Sequence, residues 1–374
     1  MEFDIQLIFP YLFYALIAVT AIQLFYLWGI FGRFAFYQKK KKIVEPQPLS
    51  IVICAKNEYT NLKNNLPIIL SQNYPDFEVV VVNDASDDET IFLLQDLERE
   101  HSRLKVVNIT QDLNFFKGKK FPLSLGIKSA KNELLLLTDA DCIPSSPNWL
   151  MEMAGHFDSK TEIVLGYGAY EKKNNLLNMV IRYETLMTAT QYFSYALSGM
   201  PYMGVGRNLA YRKSLFIRNK GFISHYTIPS GDDDLFINKV ATGKNTAIEI
   251  HPDSYTVSPA KHIFRDWWYQ KRRHLSTGKY YKTGHKIMLS TYSISLALMY
   301  LLFAVLLILQ FNMYYVLGIF GLRLISQLII FKNSMQRLNE KNLLLISPLF
   351  EIFLLGFFPL IMLANLVIKQ SKWK

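Results

Sequence analysis

Carboxylates at strand ends are the residues of this 374-residue chain best placed to do chemistry. Leu134, Leu135, Leu136 and Leu137 form a short apolar run that leads through Thr138 into Asp139 and Asp141. Such a run, bounded by turn signals, reads as a buried strand. Ligands of open α/β sheets bind at the carboxyl edge of the strands, which is where these acids would stand. Two neighbouring carboxylates repel unless a cation sits between them or one keeps its proton. Mg2+ and Mn2+ favour such oxygen ligands, often completed by substrate phosphates. The chemistry suggested is a divalent cation holding a phosphate ester. The plainer alternative is an Asx turn after an ordinary strand.

Further acids follow the same logic. Residues 77–82 read as a strand running into Asn83 and Asp84. Parallel strands share one carboxyl edge, so Asp84 can converge with Asp139 and Asp141. Asp88 has a simpler use as a cap or first-turn acid of the next helix. Asp232, Asp233 and Asp234 open another helix. Its dipole favours negative charge, yet three acids exceed what capping requires, so one can serve as a catalytic base. Gly204 and Gly206, next to Arg207 and Asn208, suggest a backbone that approaches a ligand closely. Trp267, Trp268 and Tyr269 beside Arg272 and Arg273 suit either a grip on phosphate or a bilayer interface.

The elements that must position these residues alternate between strand and helix. Strands are expected at 50–55, 77–82, 104–108 and 134–137, with helices at 61–72, 91–101 and 121–130. This alternation argues for a parallel α/β sheet covered on both faces. Residues 162–170 contain a further strand, and 176–198 a long apolar helix. Core packing is its plainer reading, beside an acceptor groove or a membrane surface. The two cysteines, Cys54 and Cys142, each follow a strand core. They exclude a disulfide framework and read as small buried residues rather than nucleophiles.

Half the residues (51%) are hydrophobic and the excess lies at the two ends. Residues 7–31 are apolar, uncharged and long enough to cross a bilayer. Arg33 and Lys39, Lys40, Lys41 and Lys42 follow. An uncleaved anchor fits better than a signal peptide. The positive-inside rule puts the N-terminus outside and the following domain in the cytoplasm. Residues 287–309 and 313–331 form two more apolar spans, joined to the basic loop 332–341. Arg323 inside the second span should face other helices or a polar path. Residues 343–368 hold Pro348, Glu351 and Pro359, followed by a basic tail at 369–374. One crossing, a re-entrant segment or two half-crossings all remain open there. The expected organisation is an anchor at 1–42, a cytoplasmic domain at 48–280 and membrane segments at 287–374. The net charge of +11 fits a surface against anionic lipid or one that handles anionic substrates.

Taken in order, the motifs resemble a known family. They are Ala55-Lys56-Asn57-Glu58, Asn83-Asp84, Gly118-Lys119 with its following helix, Thr138-Asp139-Ala140-Asp141, Gly206-Arg207-Asn208, Gly231-Asp232-Asp233-Asp234-Leu235, and Gln270 with Arg273. The sequence is similar to the membrane-embedded family 2 glycosyltransferases, relatives of the cellulose, chitin and hyaluronan synthases. The resemblance covers residues 48–280. It implies a GT-A fold, a UDP- or GDP-sugar donor, a Mg2+ or Mn2+ cofactor, inversion at the anomeric carbon and a lipid-linked or glycan acceptor. It offers no role for nucleic acid.

Carried over by motif, Ala55, Asn57, Glu58, Asp84, Lys119, Asp139, Gln270 and Arg273 would bind the donor. Asp141, with Asp139, would hold the metal. Asp233 would be the base with Asp232 beside it, although a shifted register makes Asp232 the base. Gly206, Arg207, Asn208 and His274 would face the acceptor. His274 stands where the synthases carry tryptophan, which weakens the alternative of a processive, polymer-extruding enzyme. Extrusion would also need a channel, which a partner subunit would have to supply. Nucleotidyl transfer and a non-catalytic membrane scaffold are the remaining alternatives. The late acids and Gln270/Arg273 speak against the first, and the full set of acids against the second.

Overall fold

The computed structural model describes residues 8–38, 45–110 and 118–367. The basic run Lys39 to Lys42, Lys117 and the tail 369–374 lie outside them. Two compact units divide the chain: one of residues 1–38 and 282–360, the other of residues 39–281 and 361–374.

The second unit begins with the expected alternation. Strand β1 (Leu49–Ala55) leads to α3 (Tyr59–Leu70), β2 (Phe77–Asp84) to α4 (Thr90–Glu100), and β3 (Leu104–Ile109) and α5 (Lys120–Ser129) to β4 (Leu134–Asp139). Strands β1 and β4 are continuous apolar runs because both faces are covered, and every β1 residue is buried. Then come β5 (Ile143–Pro144), α6 (Trp149–Ala154), β6 (Ile163–Leu165), β7 (Gly168–Tyr170), α7 (Leu176–Leu197), β8 (Leu209–Arg212) and α8 (Lys213–Arg218). Helix α9 (Asp234–Val240), β9 (Thr246–Ile248), β10 (Thr256–Ser258) and α10 (Phe264–Leu275) complete the unit, together with the end of a last helix described below. Most side chains of α7 are buried, which makes it a core helix.

The main sheet has seven strands in the order β3-β2-β1-β4-β8-β6-β9, and a three-stranded sheet runs β5-β10-β7. The four strands of the alternating segment are parallel, as expected, and the less regular second half adds antiparallel pairs, β8 with β4 and β6 with β8. The chain returns through the core helix α7 before β8, so β8 can enter beside β4 in the opposite sense. Strand order also reverses between β1 and β4, which creates the crevice where ligands bind in such sheets.

The other unit holds α1 (Phe9–Leu24), a π-helical stretch (Phe25–Phe31), α2 (Gly32–Ala35), α11 (Thr283–Ile308), α12 (Met313–Arg337) and most of α13 (Ser347–Val367). Among the described residues, four helical segments are long and apolar enough to cross a membrane: Phe9–Ala35, α11, α12 and α13. The last is one helix with Pro359 inside it, not two short halves. Arg323 meets the expectation of facing other helices. Its guanidinium makes a two-point pair with Glu351 at 2.8 and 2.9 Å and also reaches Gln23 at 3.2 Å.

Candidate active site

Register brings the strand-end residues together. In the parallel ladder Cys54 is paired with Asp139, and Ala55 with Asn83, so the ends of β1, β2 and β4 lie side by side. Ala55 itself is buried at the end of β1. Beyond it the chain turns at Asn57, whose φ is +56°, in the left-handed region that asparagine tolerates. Asn57 is tied to the neighbouring strand-end loop: its N–H donates to Ser86 Oγ at 2.9 Å, and its Oδ1 accepts from Asp87 N–H at 2.9 Å. The Glu58 carboxylate accepts from Asn61 at 2.6 Å. Asp88 has the capping role anticipated for it, accepting N–H groups of Thr90 and Tyr59 at the starts of α4 and α3. Asp84, at the end of β2, remains partly exposed at this edge.

Lys119 and Asp139 form an ion pair at the edge of β4. Burial works against the Asp139 charge, but the Lys119 ammonium, with Arg207 and Arg273 beyond it, holds its carboxyl below the usual range. Asp141 is shifted the other way, upward, by burial and by the charge of Asp139. The turn is fixed by Asn65, which donates to Ala140 O at 2.9 Å, and by Cys142 N–H, which donates to Asp139 O at 3.1 Å.

Asp139, Asp141 and Cys142 present ligand atoms within 4.8 Å of one another. The set fits a hard divalent cation through its two carboxylates, and the raised Asp141 pKa is the repulsion a cation would relieve. Burial and the neighbouring acids push the Cys142 thiol well up, so it stays protonated and is the weakest ligand of the three. Cys54 is likewise pushed up to about 12 by burial, and neither cysteine is a nucleophile.

The late acids divide by environment. Asp234 is buried and accepts from Thr277 Oγ1 at 2.5 Å and Tyr281 O–H at 2.7 Å, which makes it a structural anchor. Asp233 accepts from Gly206 N–H at 2.8 Å and from Asp234 N–H at 2.7 Å, leaving one lone pair on each oxygen. Burial, then the charges of Asp232 and Asp234, raise its pKa to about 7. Asp232 is half-buried, and its charge acts on both Lys119 and Lys120.

The acceptor group needs one correction. Asn208 is wholly buried, and its amide donates to Tyr167 O at 3.0 Å and Ser254 O at 2.7 Å while its carbonyl accepts from Trp149 Nε1 at 3.1 Å. It braces the scaffold and has no face left for an acceptor. Gly204 is corrected too: a Cβ there would come within 2.9 Å of Leu209, so that glycine admits protein rather than ligand. Gly206 gives its N–H to Asp233 and stays at the site.

Arg207 lies 4.2 Å over the Tyr170 ring and donates to Ser258 Oγ at 2.9 Å. Gln270 reaches the same tyrosine hydroxyl at 3.4 Å. The ring of His274 is accessible, yet the loss of bulk water around it and the charges of Lys271, Arg273 and Arg207 keep it neutral. Sequence reading passed over Tyr170, Thr277 and Tyr281. No motif marks them, and their partners lie 37 or more residues away.

The doubly wound edge, with its paired acids, lysine and carboxylates on the 230–233 loop, is a ligand crevice of the kind found at the switch point of such sheets. Residues 50–219 match the family model described as glycosyl transferase family 2. The sequence is similar to an uncharacterized glycosyltransferase of Haemophilus influenzae, 24% identical over 144 residues, which are 38% of this chain and 41% of that one. A poly-beta-1,6-N-acetyl-D-glucosamine synthase of Staphylococcus epidermidis is 30% identical over 115 residues, 30% of this chain and 27% of the relative. A probable glycosyltransferase of Bacillus subtilis is 23% identical over 278 residues, 70% and 64% respectively. The chain thus spans 27% to 64% of the length of these relatives. The mannosyltransferase PcManGT of Pyrobaculum calidifontis, solved with GDP-Man and Mn2+, shares the fold. Its TM-score is 0.56 at 19% identity, covering 87% of this chain and 98% of that one.

Proposed function

We propose that this protein transfers a sugar, with inversion, from a UDP- or GDP-sugar to a lipid-linked or polysaccharide acceptor at the cytoplasmic face of a membrane. The observation that carries this reading is the Lys119–Asp139–Asp141 group at the β4 edge, with Asp232 and Asp233 on the loop that faces it. Asp84, Asn57 and Glu58, just beyond the buried end of β1 at Ala55, receive the nucleoside, and Asp139 and Lys119 orient the diphosphate end. Asp141 and Asp139 are the residues that would hold Mg2+ or Mn2+. When bound, that cation would neutralise charge on the leaving diphosphate. Arg273 and Gln270 assist from α10, Arg273 by adding positive charge near the leaving group.

The acceptor hydroxyl enters beside Gly206, Arg207 and His274. Asp233 Oδ takes its proton as the oxygen attacks the anomeric carbon and the bond to the diphosphate breaks. A carboxylate with a pKa of about 7 is well matched to that task near neutral pH. Asp232 is the second candidate base, because it makes no hydrogen bond among the described residues and its charge acts on Lys119 and Lys120. The cytoplasmic placement rests on the Lys39 to Lys42 run after the first apolar segment. His274 in place of tryptophan favours transfer to a discrete acceptor over extrusion of a polymer.

The test is release of nucleoside diphosphate from UDP- and GDP-sugars by the full chain in lipid nanodiscs, with membrane lipid extract as acceptor. Turnover with one donor is expected. Chelation of divalent cations should abolish it, Mn2+ or Mg2+ should restore it, and Asp141→Asn and Asp233→Asn should remove it. Turnover indifferent to chelation and to both substitutions would overturn the reading.

A further inference from the structure

Beside Lys119 stands a second lysine that the mechanism above does not use. Lys120, the first residue of α5, is 2% exposed. Its ammonium donates to three backbone carbonyls: His225 at 2.9 Å, Ile228 at 2.5 Å and Ser230 at 2.6 Å. An ammonium has three protons, so these bonds use its full donor capacity. All three acceptors belong to the loop that runs directly into Gly231, Asp232 and Asp233.

The contact is reinforced at Gly118. Its φ is +95°, and a Cβ there would lie 2.4 Å from Pro229 O, so the 118–120 backbone sits flush against the same loop. The groups that face Lys120 are Asp232, Asp234 and Asp233, which favour its charge, and His225, which burial and Lys120 itself keep neutral with a pKa of about 4.

We propose that Lys120 is a positioning residue: its ammonium clasps the 225–230 loop so that Asp232 and Asp233 are presented to the donor edge that Lys119 helps to build. Two adjacent lysines at one helix start thereby tie the donor side to the base side of the site. The inference rests on the glycosyltransferase reading for its catalytic meaning, but the clasp itself can be judged without turnover. Burial lowers the Lys120 pKa to about 8, against which the three acids act, so the clasp should loosen as the pH rises past that value.

The experiment follows amide hydrogen exchange of residues 223–231 in the full chain in nanodiscs from pH 7 to 9.5, corrected for intrinsic rates. The wild type should lose protection above about pH 8. Lys120→Gln should be unprotected throughout, and Lys120→Arg should keep its protection to higher pH. In parallel, Lys120→Gln should lower kcat about 10²-fold, as expected of a slightly misplaced base, while UDP or GDP binding changes less than about twofold.

Loop protection as high in Lys120→Gln as in the wild type would overturn the proposal, and if that variant does not fold the same result in Lys120→Met would do so. So would loss of nucleotide binding in proportion to kcat. If the wild type turns over no donor, the functional reading fails separately, and the exchange data still decide whether Lys120 clasps the loop.

Discussion

Asp232 and Asp233 are neighbours in sequence with different surroundings. Asp233 is held by two N–H groups, whereas Asp232 makes no hydrogen bond among the described residues and its charge acts on Lys119 and Lys120. With Asp233 as base, kcat/KM should rise with pH to a plateau above about 7, since only the ionised carboxylate accepts a proton. The charge of Asp232 is one cause of that raised value, so Asp232→Asn should keep much of the activity and move the acid limb to lower pH. Abolished activity in Asp232→Asn, with activity surviving in Asp233→Asn, would reverse the two roles. A pH–rate profile of both variants decides it. Asn208 belongs to stability rather than turnover. Asn208→Ala would strip partners from Trp149 Nε1 and from two buried carbonyls and should cost about 3 kcal/mol. A thermal or denaturant midpoint in detergent measures this.

At the scale of elements, α10 is the piece most dependent on charge pairs. It carries Gln270 and Arg273 toward the site, while the residues between them anchor it. Lys271 pairs with Glu184 of α7, and both are buried. Arg272 donates to Asn365 Oδ1 at 3.0 Å, and the Asn365 amide returns a bond of 2.9 Å to Arg272 O. Glu184→Ala would leave Lys271 buried without its counter-charge, which costs about 3–5 kcal/mol. It should also raise the donor KM, because Arg273 rides on the same helix. Replacing both partners by methionine should recover most of the stability, as the calorimetric midpoints of the single and double variants would show.

At the scale of the whole molecule, the chain divides into a mixed α/β unit and a helical unit that leaves many large apolar side chains exposed. In the helical unit, polar side chains collect inside. Arg323, Glu351, Gln23 and Gln327 are all buried, Tyr300 O–H donates to Glu351 at 2.8 Å, and Gln23 donates to Ser295 Oγ at 2.7 Å. Such a cluster is costly to strand and specific in its geometry. Arg323→Leu should destabilise this unit by about 3–5 kcal/mol by orphaning Glu351, and adding Glu351→Leu should restore much of that. Unfolding midpoints in detergent for the two variants test the pair. No measurable loss in Arg323→Leu would show that the ion pair contributes nothing to helix assembly.

The sequence by itself determined the pieces that depend on neighbours along the chain. Continuous apolar runs announced β1, β2 and β4, turn residues announced where they end, and long apolar stretches announced the membrane-length helices. Asp84, Asp139 and Asp141 were legible as a group because parallel strands must share an edge. Only the tertiary structure decided what depends on residues far apart. That β8 enters antiparallel beside β4, that Asn208 braces the scaffold, that Asp234 is tied to Thr277 and Tyr281, and that Lys120 grips a loop more than 100 residues away all arise from long-range hydrogen bonding. Local spacing carries no signal for such contacts. A buried polar group must find a partner, but which one it finds is settled by how the whole chain packs.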